Sequence, residues 1–130
     1  MTGRSDIVIG GGAATITVEV TEALPRMDCR LTISNSLGQP VTRMDSRVPA
    51  PGDVRDPALG TTIECEIGSL PLLPGRYRID VGLRARETFQ DGLHGAAYFD
   101  VEPGLVGGRP MPQEGAKGLV SLEHSWRLPA

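Results

Sequence analysis

An antiparallel β-sandwich is the fold class this sequence predicts, and three observations predict it. Apolar residues recur at every second position through most of the chain, which is the period of strands buried on one face. Seventeen glycines and eleven prolines punctuate 130 residues, well above the roughly 12% combined average, so turns are frequent. No stretch of the 10–12 residues a helix needs carries an apolar stripe at i, i+3 and i+4. The count is about seven or eight short strands with turn signals between them, an Ig-like or jelly-roll-like pattern.

The elements follow in order. Ser5 to Ile9 makes a short opening strand, and Gly10-Gly11-Gly12 turns the chain into a second. In that second strand Ala14, Ile16, Val18 and Val20 share one face, with Thr15, Thr17 and Glu19 on the other. Cys29, Leu31 and Ile33 then alternate with Asp28, Arg30, Thr32 and Ser34. Asn35 to Pro40 is a turn, because Asn, Gly and Pro each supply a turn-compatible backbone state, and Val41 to Met44 restarts as a strand. Residues 46–60 hold Pro49, Pro51 and Pro57 with Gly52 and Gly60, the composition of a long loop. Strand character returns from Thr61 to Ile67, with Ile63, Cys65 and Ile67 inward and Thr62, Glu64 and Glu66 outward. Leu70 to Gly75 is an apolar crossing segment that ends in a Pro-Gly turn.

Arg76 to Leu83 is the plainest strand, with Tyr77, Ile79, Val81 and Leu83 inward and Arg76, Arg78 and Asp80 outward. Thr88 to Gly95 reads as a polar loop, and Ala96 to Glu102 as a strand with Phe99 in the core and Tyr98 and Asp100 outward. Pro103 to Gly118 reads as loop. Leu119 to Trp126 reads as a final strand in which Val120, Leu122 and Trp126 share a face.

At 130 residues and 39% hydrophobic content the chain suits one domain, 1–130, with a real core. No apolar run reaches the ~20 residues that span a bilayer, and Met1-Thr2-Gly3-Arg4 opens no signal peptide. The expectation is therefore a cytoplasmic, non-membrane-spanning protein. Thirteen basic and sixteen acidic residues give a net charge of −3, against the clustered basic surplus of nucleic-acid binders. The two cysteines, Cys29 and Cys65, form no CxxC and fall at apolar strand positions, where a free thiol behaves as a small hydrophobe.

No catalytic or cofactor constellation emerges. Gly10-Gly11-Gly12 is followed by alternating residues, with Thr15 where a dinucleotide fingerprint needs its third glycine before a helix. Lys117 lies in Gly115-Ala116-Lys117-Gly118, which lacks the spacing of a Walker loop. His94 in a Gly-rich loop reads as a surface residue, and His124 as a half-buried edge residue; two histidines make no zinc site without clustered partners. Glu64, Glu66 and Asp80 are outward and solvated, so nothing marks a paired acid and base. No enzyme, cofactor or metal is expected. Of the aromatics, Tyr77 reads as a core residue with a satisfied hydroxyl and Tyr98 as part of an exposed face. Trp126 is either a core plug or a binding platform.

The phrase Leu70-Pro71-Leu72-Leu73-Pro74-Gly75-Arg76-Tyr77-Arg78-Ile79-Asp80-Val81-Gly82-Leu83 resembles the L-P-L-x-P-G-x-Y-x-L-x-V-G-L segment of one known family. That family is the C-terminal domain of Wzt-type ATP-binding proteins of polysaccharide (O-antigen) ABC transporters. Asp91-Gly92, then Ala97 to Glu102, then Gly107-Gly108 and Gly118-Leu119-Val120 follow in the family's order. Upstream, Gly12 to Val20 and Leu31 to Val41 resemble its first strand and hairpin. The resemblance implies a β-sandwich that binds a glycan on the cytoplasmic side without reacting with it. It further implies a homodimer and partnership with the transporter's ATPase and membrane subunits. The family's ATPase domain lies outside these residues, so the chain reads as an excised or separately encoded module.

The outward residues of the best-defined strands are then the expected ligand-binding positions: Arg30, Thr32, Arg78, Asp80, Tyr98 and Asp100, joined by Trp126. A sheet face presents such side chains at every second residue, where they can meet sugar hydroxyls. The competing reading is a structural or dimerisation module whose faces bind protein, for which apolar outward residues would speak. Those here are mostly charged or hydroxylic.

Overall fold

A computed structural model describes residues 5–20, 26–85, 88–111 and 118–129. The strands are β1 (Ser5–Ile9), β2 (Ala14–Glu19), β3 (Met27–Ser34), β4 (Pro40–Asp45), β5 (Thr62–Ile67), β6 (Gly75–Ala85), β7 (Thr88–Glu102), β8 (Leu105–Val106) and β9 (Arg109–Pro110). The one helical element among the described residues is a 3-10 turn at Pro57–Leu59, begun by Asp56, whose side chain accepts from the Ala58 N–H. Five strands form one sheet in the order β1-β7-β6-β3-β4; β2 and β5 pair in a second, and β8 with β9 in a small hairpin. All pairings are antiparallel except β1 with β7, which is parallel.

The predicted alternation selects the core. Cys29, Leu31 and Ile33 of β3 and Tyr77, Ile79, Val81 and Leu83 of β6 are buried, together with Phe99 and Val101 of β7. Val18 of β2 and Leu70 and Leu72 of the crossing segment join them from the second layer, with Ile16, Ile63, Cys65 and Ile67 packed at the margin. The β2–β5 pairing continues beyond the strands, since Val20 N–H donates to Thr61 O and Gly11 N–H to Leu70 O. Tyr77 stacks on Phe99 with ring centroids 5.5 Å apart, and its hydroxyl donates to Leu73 O at 2.6 Å. That bond ties the sheet to the crossing segment, and the expected core tyrosine with a satisfied hydroxyl is what the structure contains.

Several sequence expectations need correction. Thr88 to Gly95 is not a loop but the first half of β7, and the Ala96 strand is its continuation. Polar residues and glycines suggest a turn there, yet pairing with β6 overrides local propensity. Register shifts between Ile79 and Val81 and between Leu83 and Arg84 absorb the irregularity. Within Pro103 to Gly118 the chain makes the β8–β9 hairpin around Gly107 and Gly108, at φ 60° and 80°, positive at both as a type I′ turn requires.

Leu119 to Trp126 is not a strand. It makes a single bridge, Val120 with Leu72, because Pro71, whose carbonyl accepts from the Ser121 N–H, has no N–H of its own to extend the ladder toward Leu122. Val120, Leu122 and Trp126 are accordingly exposed, not inward. His124 is exposed as well, and its ring meets Trp126 edge-on with centroids 5.8 Å apart. Ser34, expected outward, is buried just past a register shift in the β3–β4 pairing. Lys117 and the side chains of Phe89, Asp91 and His94 lie outside the described residues.

The glycines after β1 do turn the chain, but between sheets: β1 belongs to the large sheet and β2 to the small one. Gly11 has φ 79°, and a Cβ there would collide with the Leu105 carbonyl; one on Gly10 would collide with Met111. Only glycine fits this corner.

Replacing Tyr77 by Ala is expected to lower stability by roughly 3–5 kcal/mol, the usual cost of deleting a core aromatic ring. Tyr77→Phe is expected to cost about 1–2 kcal/mol through the unsatisfied Leu73 carbonyl. Chemical denaturation of both variants checks the pair, and equal stability of wild type and Tyr77→Phe would remove the hydroxyl from the account.

Candidate functional site

The register of β3, β4, β6 and β7 builds the outer face of the large sheet. Arg30 stands between Asp45 and Gly82, and Thr32 between Arg43 and Asp80. Ser34 is opposite Arg78, which is opposite Tyr98, while Arg76 is opposite Asp100. Six of the seven expected ligand-binding residues, Arg30, Thr32, Arg78, Asp80, Tyr98 and Asp100, therefore share one surface. Trp126 stands apart in the C-terminal tail, whose bonds run to Pro71 and Leu73 and, through His124 O, to Arg109.

Salt bridges order this face. Arg78 sits against Asp80 two residues along β6, with Nε 3.2 Å from Oδ1 and Nη2 3.3 Å from Oδ2. Arg76 lies 3.8 Å from Asp100 and places its guanidinium 5.4 Å from the centroid of the Tyr98 ring. Tyr98 is 42% exposed. One side of its ring is thus partnered by a cation, and a sugar stacking on Tyr98 must use the other side or displace Arg76.

At the β4 end, Arg47 donates to Asp45, with Nη2 2.9 Å from Oδ2. The side-chain and backbone hydrogen bonds from Arg47 hold the Asp45 carboxyl below its ordinary 3.8. Arg55 reaches back from the 46–60 loop to Asp28 at 2.7 Å and to Met27 O at 2.8 Å. Ser46 Oγ donates to the same Asp28 oxygen at 2.8 Å, so the loop is pinned to the edge of the face. Between these groups lies a shallow depression lined by Asp28, Cys29, Arg30, Asp45, Arg47, Gly82 and Arg84.

Sequence reasoning did not select Arg43, Gly82 or Arg84, which share the surface. Arg84 and Gly82 continue the outward parity of Arg76, Arg78 and Asp80, a signal available in the alternation itself. Arg43 joins only through its register opposite Thr32.

Nothing in the arrangement activates a nucleophile. Burial foremost, then the nearby Cys65, Asp45 and Asp28, pushes the Cys29 thiol from an ordinary 9.0 to about 11. Burial also raises Cys65. Among the described residues no three His, Cys, Asp or Glu side chains are grouped to hold a metal ion. No described helix is long and apolar enough to cross a membrane.

The sequence matches the Wzt C-terminal domain family over residues 2–122. The chain belongs to this family. A solved structure described as the C-terminal domain of wzt superimposes with a TM-score of 0.61 at 13% identity, covering 94% of this chain and 73% of that one. At that identity the likeness speaks for the fold. No curated protein matches significantly. Membership in the Wzt C-terminal domain family supports a role in polysaccharide ABC transporters; the family is a transporter-associated binding domain and not a known catalytic one.

With a pKa of about 11, roughly one Cys29 thiol in a thousand is ionised at pH 8, and the thiolate is the reactive species. In a Cys65→Ala variant, Cys29 is expected to resist a disulfide-exchange reagent at pH 8 until the protein is unfolded by guanidinium. Rapid stoichiometric labelling of the native variant would contradict the burial. The same shift sets a sign for stability. The unfolded thiol ionises from about pH 9 while the folded one stays protonated until about 11, so stability declines across that window. Denaturation curves at pH 8 and 10.5 are expected to show a smaller loss in Cys29→Val than in wild type.

Proposed function

We propose that this domain binds polysaccharide without chemically altering it, on the outer face of the five-stranded sheet, for export by an ABC transporter. The ligand is the cytoplasmic O-antigen chain at its modified end, and the partners are the transporter's ATPase and membrane subunits. The carrying observation is the shared surface of Arg30, Thr32, Arg78, Asp80, Tyr98 and Asp100. Sugars present hydroxyls that both donate and accept. Guanidinium groups supply donors only and carboxylates acceptors only, so alternating Arg and Asp meets both needs. Tyr98 adds an apolar ring for the C–H face of a pyranose.

A titration with end-modified O-polysaccharide, followed by amide shifts in NMR, tests this reading. Arg78→Ala, Asp80→Ala and Tyr98→Ala are each expected to weaken binding roughly tenfold, the scale of one hydrogen bond to a charged group. Melting temperatures verify that the variants remain folded. Unchanged affinity in all three would move the site to another face.

A second reading concerns protein contact. Leu122, Trp126 and Leu128 are 70%, 67% and 77% exposed along the tail, and aromatic and apolar side chains form the centres of protein interfaces. The tail, not the charged sheet face, is where homodimer formation is to be sought. A sedimentation comparison of wild type with a Leu122→Ser/Trp126→Ser variant decides it, since an unchanged association state in the variant removes the tail from that role.

A further inference from the structure

We infer that the depression over Gly82, between Arg30 and Arg84, takes the carboxylate or phosphate of an acidic saccharide. This rests on the glycan reading above and narrows its ligand class. Charge is the first support. Four carboxylates of the surface each have an arginine, Asp28 with Arg55, Asp45 with Arg47, Asp80 with Arg78 and Asp100 with Arg76, and a fifth, Glu102, stands outward at the far end of β7. Among the described residues Arg30, Arg43 and Arg84 form no ion pair, Arg30 acting on Asp45 only at longer range, so guanidinium groups outnumber carboxylates on this face. Arg30 and Arg84 line the depression, where the charges of Asp28 and Asp45 are already met.

The floor is the second support. Gly82 is opposite Gly92 on β7, so neither strand carries a side chain of its own at that row. Gly82 has no left-handed φ, and an added Cβ would meet its nearest neighbour, the Arg30 guanidinium, at an ordinary 3.5 Å. Neither backbone conformation nor crowding calls for glycine here, and glycine in a strand interior is destabilising. What its absence of a side chain provides is the place in which Arg30 lies, since Arg30 Nη2, Nε and Cβ are the nearest atoms above it.

The third is reach. Arg84 is opposite Asp28, one outward row from the Arg30–Gly82 pair. The two arginines are therefore diagonal neighbours, about 7–8 Å apart at the backbone, within range of long side chains. A planar fork on either side of one anionic group gives charge-assisted, directional hydrogen bonds, with Arg30 brought to the site across Gly82.

The test titrates the whole chain with oligogalacturonate, with its carboxyl-reduced neutral counterpart and with mannose 6-phosphate, at 50 and 500 mM salt. The acidic oligosaccharide is expected to bind at least tenfold more tightly than the neutral one at low salt. That preference is expected to collapse at high salt, in Arg30→Gln/Arg84→Gln, and in Gly82→Val, whose side chain displaces Arg30 from its place over the glycine while the melting temperature is kept. Binding of mannose 6-phosphate but not oligogalacturonate supports the anion site and assigns it to phosphate. Equal affinity for the acidic and neutral oligosaccharides, with mannose 6-phosphate unbound, overturns this inference and leaves the glycan reading standing. A preference that survives the double variant also overturns it. No binding of any probe counts against both.

Discussion

The antiparallel pairing of β3 with β6 is the constraint on which the remainder of the structure depends. Its register runs unbroken from Met27 opposite Ala85 to Ser34 opposite Arg78. Because side chains alternate, that one alignment sends Cys29, Leu31 and Ile33 into the core beside Leu83, Val81 and Ile79, and Arg30 and Thr32 to the outer face beside Gly82 and Asp80. A slip of one residue would bury charges and expose the core together. Stability and the candidate binding surface are therefore two sides of one alignment, held chiefly by the apolar side.

The ion pairs of the outer face have a different task. Exposed pairs contribute at most about 1 kcal/mol each, too little to hold a sandwich whose core buries Tyr77, Phe99 and the aliphatic rows of β3 and β6. Their effect is to fix directions. The Arg78 guanidinium is parked along its own strand by Asp80, and Arg76 is drawn toward Asp100 while covering one side of Tyr98. Under the proposed function a ligand meets groups already oriented, and loses little when it exchanges a weak surface pair for a hydrogen bond of its own. Arg55 and Ser46 extend the same logic to the 46–60 loop by closing on Asp28.

Much of this was legible in the sequence because a period of two is a strong signal wherever one face is buried. The inward sets of β2, β3, β5 and β6 and six residues of the outer face follow from alternation alone. Pairing between distant strands is not local information, and the failures fall there. Asp91-Gly92 looks like a turn, but its backbone pairs across β6 at Leu83 and Gly82. The tail fails in the opposite sense: Val120, Leu122 and Trp126 alternate as a strand would, yet the edge they meet is interrupted by Pro71. Alternation shows which way residues would point in a strand, and only an available row of N–H and C=O groups makes the strand.

The glycines show how structural and functional demands can be separated once geometry is known. In the sequence Gly11 and Gly82 are equally anonymous. Gly11 is forced twice over, by a left-handed backbone and by the Leu105 carbonyl against it; it belongs to the corner that lifts the chain from one sheet to the other. Gly82 is forced by neither, and it occupies the middle of a long strand where β-branched residues pair better. A residue that lowers strand stability without relieving strain or crowding is accounted for by what it leaves open. Here that is the space in which the Arg30 side chain crosses β6, one outward row from Arg84.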